Sequence, residues 1–425
     1  MFTDKSTAEL KMENKQLIAV CQMNSKENKD ENFNVCKSMI TRAANIGCKM
    51  VFLPECFDMI CDSKKKTLEN IEPIDGPLIT KYRQLAKESC VWLSLGGLHE
   101  KGPKSETGKA SNAHIVINSD GNIASVYRKA HLFNLDIPGV VRLVESEFSV
   151  SGDAVIEPVQ TPVGKVGLGI CYDVRFPEFA ISMAKAGADI LTYPSSFTVP
   201  TGSAHWETLL RTRAIENQCY VVAAAQYGTH NPKRSSFGHA MVIDPWGAII
   251  AQCGEKTDFA IAEIDMEFLK NVRMKLPVWT DRRPELYGHI LAASTPPFSE
   301  DKKTFNFGDV QIHDYQLFYK TTSTFAFVNH RPVLPGHVLV APLRNTARRL
   351  SDLTTAEITD LFLCVQKVQK AVETEYGANS STIAIQDGID AGQSIFHLHV
   401  HIIPRKKGDF SGNIDQIYSE LQKHD

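Results

Sequence analysis

The feature that most constrains this chain is a break in its pattern near residue 290. Residues 288–307, GHILAASTPPFSEDKKTFNF, are rich in proline, serine and charge and show no lasting hydrophobic periodicity, which is typical of a linker. At 425 residues the chain also exceeds the roughly 250 to 300 residues at which a single core stops growing. We therefore predict two domains, residues 17–288 and 304–425, joined by a linker at 289–303 and preceded by an N-terminal arm at 1–16.

The two predicted domains have different patterns. Before the break, short apolar runs such as LIAVCQM, MVFLP and VWLSLGGLHE alternate with amphipathic stretches, including helix candidates at 32–46, 177–186 and 205–217. This alternation predicts an α/β domain in which sheets stack with helices outside. After the break, strand-like segments precede one long amphipathic helix at 355–376, and the strands STIAIQD and IFHLHVHII follow it, which predicts an α+β domain.

Composition and charge exclude several classes of function. The residues are 43% hydrophobic and 22% charged, no apolar run approaches the roughly 20 residues of a membrane helix, and we expect no membrane insertion. A formal charge of -3 without a dense basic cluster argues against a nucleic-acid partner. The ten cysteines are scattered without CxxC pairs, which favours reduced thiols. The N-terminal residues resemble neither a signal nor a transit peptide, so we expect a cytoplasmic protein, with a partly mitochondrial location as the alternative.

Three polar residues of the first domain follow apolar runs and combine into one chemistry. Cys171 ends the run in KVGLGICYDVRFPE, Glu55 follows MVFLP, and Lys129 follows the strand in VYRKAHLF. Taken singly, each residue has a structural explanation: Cys171 as a buried core thiol, Glu55 as part of a surface ion pair, and Lys129 as part of a solvated loop. A thiol attacks as its thiolate, so a carboxylate that takes its proton and a nearby cation are the partners it needs. A fixed ammonium also stabilises a tetrahedral oxyanion by about 3 to 4 kcal/mol.

The stretches PECF, YRKAHLF and GICYDVRFPE, in this order and spacing, resemble the nitrilase or carbon-nitrogen hydrolase superfamily over about residues 15–288. The segment AHWETLLRTRAIENQCYVVAAAQ resembles its amidase branch, related to deaminated glutathione amidase. The resemblance implies a four-layer αββα sandwich and a thioester acyl-enzyme, with Cys171 as nucleophile, Glu55 as general base and Lys129 on the oxyanion. It also implies a second glutamate at Glu145, although Glu147 is two residues away.

The substrate of this first domain is less legible. Arg175 follows the nucleophile closely and either pairs with a substrate carboxylate or anchors Glu178 or Asp173. If the amidase branch is right, the substrate is a carboxylate-bearing amide such as deaminated glutathione.

The second domain contains HLHVHIIP, in which three histidines alternate with apolar residues. On a strand His397, His399 and His401 would share one face while the residues between them enter the core. Zinc ligation, structural histidines and phosphate chemistry compete as explanations. The outer backbones lie about 13 Å apart on a strand, which suits three bonds of about 2 Å to one ion poorly, so we predict no metal site. A structural stripe would require a partner for each buried ring.

Phosphoryl transfer needs a nucleophile in line with the leaving group and donors around the phosphate oxygens. A neutral middle histidine supplies the first, and flanking rings supply the second. The preceding loop, with Gly392, Gln393, Ser394 and Ile395, suits a close approach of backbone to phosphate.

HLHVH, QDGIDAGQS and VNHRPVLPGHVLVAPLR together resemble the histidine triad superfamily, and specifically its fragile histidine triad hydrolases of diadenosine polyphosphates, over about residues 305–425. The resemblance implies a five-stranded antiparallel sheet with a long helix, and His399 as a nucleophile that carries an adenylyl group. His397, His401 and His337 would support it. Substrate contacts are implied for further residues: Phe307, Asn329, Gln386, Gly392, Gln393, Ser394, Ile395 and His401.

The two domains in one chain resemble fusions of a nitrilase to a fragile histidine triad domain, so we expect a bifunctional hydrolase that makes AMP and ADP from diadenosine triphosphate and cleaves an amide. We expect no cofactor beyond a divalent cation bound with the polyphosphate, small-molecule substrates as partners, and a homotetramer. One alternative is a signalling or scaffold protein, in which a nucleotide bound at the histidine site is the signal and is not turned over. Another is a nucleoside phosphoramidate hydrolase joined to an ω-amidase.

Overall fold

A computed structural model describes residues 15–102, 108–137, 141–293, 304–321, 323–412, 416–417 and 420. The chain divides into two compact units, Met1–Ser294 and Thr295–Asp425. The predicted N-terminal arm lies outside the described residues up to residue 14, and the first strand begins at Lys15. The predicted linker lies outside them from residue 294 onward.

The first unit contains seventeen strands among its described residues: β1 Lys15–Met23, β2 Met50–Leu53, β3 Trp92–Glu100, β4 Ala110–Ile117, β5 Ile123–Arg128, β6 Asn134–Ile137, β7 Val141–Val144, β8 Ser149–Val150, β9 Val159–Thr161, β10 Gly164–Leu168, β11 Ile190–Thr192, β12 Tyr220–Ala223, β13 Ala225–Asn231, β14 Arg234–Phe237, β15 Met241–Ile243, β16 Ile249–Gln252 and β17 Asp258–Asp265. Its helices are α1 Lys29–Ile46, α2 Lys64–Glu69, α3 Pro77–Ser89, α4 Pro177–Lys185, α5 Val199–Asn217, α6 Met266–Lys275 and α7 Pro284–Tyr287.

These strands form two large sheets. The nine-stranded sheet has the order β14-β13-β1-β2-β3-β4-β5, with β17 also paired to β1 and β8 to β4. The six-stranded sheet has the order β16-β15-β12-β11-β10-β9, and β6 and β7 form a separate hairpin. In both sheets parallel pairs lie at the centre, such as β1 with β2 and β10 with β11.

The alternation of side chains along β1 shows how the layers are built. Ile18 and Val20 enter a core that continues through the six-stranded sheet to residues of α4 and α5. Ala19 and Cys21 point the other way, into a second core with α1 and α3. Helices therefore cover one sheet on one side and the other sheet on the opposite side, and the predicted αββα sandwich is confirmed.

Helix α5 is longer than predicted. It begins at Val199 rather than at residue 205, and Pro200 lies in its first turn. Proline fits this position because its missing N–H is one that the helix leaves unpaired. The sequence pattern did not predict the first turns of α5, because Pro200 and Gly202 are residues that usually interrupt a helix.

The second unit contains the strands β18 Thr304–Phe307, β19 Val310–His313, β20 Leu317–Lys320, β21 Thr324–Val328, β22 Val338–Pro342, β23 Ser380–Ala384 and β24 Val400–Arg405, and the helix α8 Thr355–Glu375. The strands β20-β21-β22-β24-β23 form one antiparallel sheet. Helix α8 packs one face of the sheet with Leu361, Val365 and Val368, opposite Val340 and Val400. The predicted five-stranded sheet and long helix are confirmed.

The prediction that all three histidines lie on one strand is wrong. Strand β24 begins at Val400, so His401 belongs to it while His397 and His399 precede it. The backbone N–H of Leu398 donates to the carbonyl oxygen of Ala347 at 2.9 Å. The chain therefore leaves the sheet ladder before Val400, because it pairs there with the loop that follows β22.

Among the described residues, no helix has the length and apolar character required to cross a membrane.

Candidate active sites

The first site centres on a sharp turn at Cys171. This residue follows strand β10 and has a left-handed φ of 47°, which is strained for a side chain with a Cβ. Its backbone N–H donates to the carbonyl oxygen of Pro194 at 2.9 Å. A 3-10 turn over Cys171–Arg175 then leads into α4. The strand, the strained residue and the turn together hold the thiol at the edge of the six-stranded sheet.

Asp173 holds this turn in place. Its buried carboxylate accepts hydrogen bonds from the Tyr127 hydroxyl at 2.8 Å and from the Ile170 backbone N–H at 2.9 Å. His131 Nδ1 lies 2.7 Å from the same carboxylate. Since these partners approach the carboxylate from several directions, Asp173 fixes the turn at Cys171. It does not pair with Arg175, the arginine predicted to bind a substrate carboxylate.

The other predicted residues of this site meet in one cluster. Lys129 Nζ donates to Glu55 Oε1 at 3.0 Å and to Glu145 Oε2 at 2.9 Å. Lys129 and Glu55 are buried and lie at the ends of β5 and β2. Glu147 instead lies at the surface, where it pairs with Lys64 and Arg142. The structure thus places Glu145, and not Glu147, against the lysine.

Two further groups of this cluster escaped the sequence reasoning. Asn112 Nδ2 donates to Glu55 Oε1 at 2.9 Å and lies 3.3 Å from Glu145 Oε1. The backbone N–H of Ser196 donates to Glu55 Oε2 at 2.9 Å and also faces the Cys171 thiol. Asn112 sits in the middle of β4, and Ser196 acts through its backbone, so neither had a signal in the local pattern.

The charges fit a resting enzyme. Burial raises the pKa of Cys171, the charge of Glu55 raises it further, and together they outweigh Lys129, so the thiol is protonated. Burial also favours the neutral form of Glu55, but the charge and hydrogen bond of Lys129 hold its pKa below the usual 4.5. Burial lowers the pKa of Lys129, yet Glu145 and Glu55 raise it well above its usual value. A neutral thiol therefore lies beside an ionised base and a charged ammonium.

Arg175 ends the turn that begins at Cys171, and no hydrogen bond or ion pair joins it to Asp173 in the described part of the chain. Its guanidinium lies 3.3 Å from His205 Nδ1 and 5.6 Å from the centre of the Phe197 ring. It also faces the ring of Tyr172 at 5.9 Å. Arg175 is half-buried, and its role in binding a substrate carboxylate stays a prediction.

In the second site, hydrogen bonds fix the tautomer of His399. Its Nδ1 lies 2.7 Å from the carbonyl oxygen of His397, and a carbonyl only accepts, so Nδ1 carries the hydrogen. Burial lowers the pKa of His399, so the ring is neutral and Nε2 keeps its lone pair. His397 Nε2 in turn donates to the carbonyl oxygen of Pro342 at 2.6 Å.

A second chain of hydrogen bonds orients His401. The Val333 backbone N–H donates to His337 Nδ1 at 3.1 Å, so the hydrogen of His337 is on Nε2. That nitrogen lies 3.0 Å from His401 Nδ1, which accepts. Burial lowers the pKa of His401 to about 2, and the neutral ring carries its hydrogen on Nε2. Asn329 Nδ2 also donates to His337 Nδ1, at 3.4 Å. The predicted fourth histidine therefore lies within one hydrogen bond of the triplet.

Some of the other residues predicted to contact the substrate lie next to these histidine rings. Phe307 is 2% exposed and meets the ring of His399 edge to face at 5.1 Å. Ile395 packs in the same apolar cluster as Phe307, while Ser394 is exposed and Gly392 has a φ of 91°. Two glutamines complete the set.

Those two glutamines differ. Gln393 uses both ends of its amide within the loop, accepting from the Gly388 N–H at 3.0 Å and donating to the Arg348 carbonyl at 2.8 Å. Gln386 is buried, and its Oε1 has no hydrogen-bond partner among the described residues. Gln386 thus has an acceptor to offer a ligand, and Gln393 shapes the loop.

Asn345 is a residue of this site that the sequence did not reveal. Its Oδ1 accepts from the Gly308 N–H at 3.0 Å and lies 3.0 Å from His397 Nδ1. The Gly308 N–H also donates to His397 Nδ1 at 3.3 Å, which joins the turn between β18 and β19 to the first histidine across 89 residues that no local pattern reports.

Comparisons with known proteins agree with the two-domain architecture. Residues 17–274 match the model of the carbon-nitrogen hydrolase family, and residues 311–408 match that of the HIT domain. The nitrilase and fragile histidine triad fusion protein of Caenorhabditis elegans is 50% identical over 412 residues, 97% of this chain and 92% of its own. Its crystal structure superposes with a TM-score of 0.81 over 97% of this chain and 98% of that one. Deaminated glutathione amidase of Rattus norvegicus is 51% identical over 65% of this chain and 85% of its own.

The fold, the cysteine cluster and the histidine cluster define an enzyme with two hydrolase domains, a carbon-nitrogen hydrolase and a histidine triad domain. The chain belongs to the family of nitrilase and fragile histidine triad fusion proteins.

Proposed function

We propose that the first unit hydrolyses deaminated glutathione and that the second converts diadenosine triphosphate to AMP and ADP. The amidase half is supported by the likeness to the rat deaminated glutathione amidase and by the contacts that join Glu55, Lys129 and Glu145. The second half is supported by the neutral His399 with a free Nε2 lone pair.

In the proposed amidase reaction, Glu55 takes the proton of the Cys171 thiol as the sulfur attacks the amide carbonyl. Lys129 faces the developing oxyanion, where a fixed donor stabilises the transition state by about 3 to 4 kcal/mol. Glu55 then returns the proton to the leaving amine, and a thioester remains on Cys171. Glu55 next activates water for hydrolysis of the thioester, which frees the acid and restores the thiol.

The test is the rate of amide cleavage by the full chain carrying Cys171→Ala. We expect no cleavage of deaminated glutathione above background, because no sulfur remains to form the thioester. Cys90→Ala, which changes an exposed thiol, serves as the matched control and should retain the wild-type rate. Cleavage that persists in Cys171→Ala, or a wild type that cleaves no amide, would exclude this half of the proposal.

In the proposed nucleotide reaction, His399 Nε2 attacks the phosphorus of one adenylyl group. A P–N bond forms as the bond to the bridging oxygen breaks, and ADP leaves. His401 donates its Nε2 hydrogen to the phosphate, while the His397 carbonyl stabilises the Nδ1–H of the nucleophile as its charge grows. Water then attacks the adenylyl group, and AMP and the free histidine are the products.

His399→Asn tests this mechanism through two measurements on one variant. We expect release of AMP to be abolished and binding of diadenosine triphosphate to be kept, because the side chain is replaced by one that lacks the nucleophilic nitrogen. His313→Asn, which changes an exposed histidine of β19, should leave both measurements unchanged. AMP release by His399→Asn at the wild-type rate would rule out the adenylyl-histidine.

We further propose a homotetramer in the cytoplasm that needs no cofactor of its own, with any divalent cation entering on the polyphosphate. Exposed apolar side chains support self-association, among them Met274, Leu286 and Tyr287. All ten cysteines are free, which suits a reducing compartment. Light scattering gives the mass in solution, and a dimer or monomer would contradict the tetramer.

A further inference from the structure

A second cysteine lies beside the amidase site and takes no part in the proposed reaction. Cys56 directly follows Glu55 after strand β2, and its backbone adopts a left-handed φ of 58°. The residue is 4% exposed. The strained turn therefore sets a second thiol next to the general base.

A histidine and an aspartate adjoin this thiol in the order of a catalytic triad. His99 Nδ1 lies 3.0 Å from each carboxylate oxygen of Asp58, and the His99 backbone N–H donates to Asp58 Oδ2 at 3.1 Å. These bonds fix the ring and turn Nε2 toward the Cys56 sulfur, 4.0 Å away. A nucleophile that faces a base, with the base oriented by a third group, is the arrangement that activates side chains for attack.

Arg234 also lies next to the Cys56 sulfur. Its Nη2 lies 4.0 Å from Cys56 Sγ and donates to Ser196 Oγ at 3.0 Å. Although burial disfavours a charged ring, Asp58 and Cys56 raise the pKa of His99 well above 6.5. Two cationic donors therefore flank one sulfur and would hydrogen-bond an anionic oxygen placed on it.

We propose that Cys56 is a second nucleophilic thiol and a modification site, which small peroxides oxidise to the sulfenic acid. With the thiol proton already on His99, the sulfur attacks one oxygen of hydrogen peroxide, the S–O bond forms as the O–O bond breaks, and His99 passes that proton to the departing hydroxide to make water. Sulfur loses two electrons and the peroxide gains them. At 4% exposure, Cys56 favours a reagent as small as a peroxide over a bulky disulfide.

The order in which the thiols oxidise tests the proposal, because exposure alone predicts the opposite order. The full chain with Cys171→Ala, which removes the amidase nucleophile, is treated with limiting hydrogen peroxide and with dimedone to trap sulfenic acids. Mass spectrometry of the peptides should show the label on Cys56 before the exposed Cys90. Label on Cys90 first, or none on Cys56, would overturn the assignment.

Variants of the flanking groups test whether these groups activate the thiol. His99→Asn and Arg234→Gln should each slow labelling of Cys56 at least ~10-fold, as loss of an assisting acid or base does, and leave Cys90 unchanged. Lys233→Gln, which changes the exposed neighbour of Arg234, should have no effect.

Circular dichroism checks that each variant folds. If Arg234→Gln misfolds, Arg234→Lys takes its place; because it keeps the charge, Cys56 should be labelled at the wild-type rate. Wild-type labelling in both folded variants contradicts the proposal. Because labelling and not turnover is measured, the result is independent of the amidase substrate.

Discussion

Cys171 holds its proton while Glu55 has lost its own, and this division sets the pH response of the amidase. Burial raises the pKa of the thiol, and Lys129 keeps the pKa of Glu55 below 4.5. A general base must be ionised before it accepts a proton. The base is therefore ready throughout the neutral range, and the thiolate forms during attack.

The acid limb of amide hydrolysis should report Glu55. As pH falls, the decline in kcat/KM should have its midpoint below 4.5, because the pKa of Glu55 in the folded state is lowered from that value. Asn112→Ala removes a hydrogen bond that stabilises the carboxylate, so the limb should move to higher pH and kcat should fall about tenfold. A limb that stays in place in this variant would mean that Asn112 does not act on Glu55.

The histidine site should respond to pH through His399. Its ring must be neutral to attack, and burial lowers its pKa below 6.5. The decline in hydrolysis of diadenosine triphosphate as pH falls should therefore have its midpoint below 6.5. A pH profile of kcat with its midpoint above 6.5 would show that the nucleophile is charged at rest.

At this scale the sequence predicts residues that follow strands and misses those within them. Glu55, Lys129 and Cys171 end apolar runs, so their polar side chains stand out. Asn112 points into the cluster from the middle of β4, and its role depends on a partner 57 residues away. Such a partner becomes visible only when the sheet is assembled.

Among the elements, strand β3 supports the amidase site by its closeness to the loop after β11. A Cβ placed on Gly96 would lie 2.0 Å from Pro194 Cβ and 2.7 Å from the Leu53 carbonyl oxygen. Pro194 accepts the backbone hydrogen bond of Cys171. The absence of a side chain at Gly96 thus lets the loop reach the elbow.

Gly96→Ala should therefore lower both stability and amidase activity. The added methyl group forces the loop away from β3, which should cost about 1 to 3 kcal/mol in the free energy of unfolding, as overpacking does. Urea denaturation measures it. Gly254→Ala is the matched control, because a Cβ there meets nothing within 4 Å. Equal stability of the two variants would contradict the close packing.

Strand β24 shows where periodicity stops being informative. The alternation in HLHVHII correctly placed Leu398, Val400 and Ile402 in the core. It failed to place the start of the strand, because that depends on the partner of each backbone N–H, and Leu398 pairs with Ala347 instead of the sheet. Side-chain facing is local information, whereas a ladder is not.

At the scale of the whole molecule, the residues named for each cluster fall into separate units. Glu55, Lys129 and Cys171 belong to the first unit, and His337 and His399 to the second. The sequence predicted this division because the hydrophobic pattern changes across residues 288–307. Each unit also has its own hydrophobic cores.

The most direct test of two separate hydrolases measures both activities in each of two full-length variants. Cys171→Ala should lose amide cleavage and keep hydrolysis of diadenosine triphosphate at the wild-type rate, and His399→Asn should show the reverse. A variant that loses both activities, or one that keeps the activity assigned to its altered residue, would contradict the account.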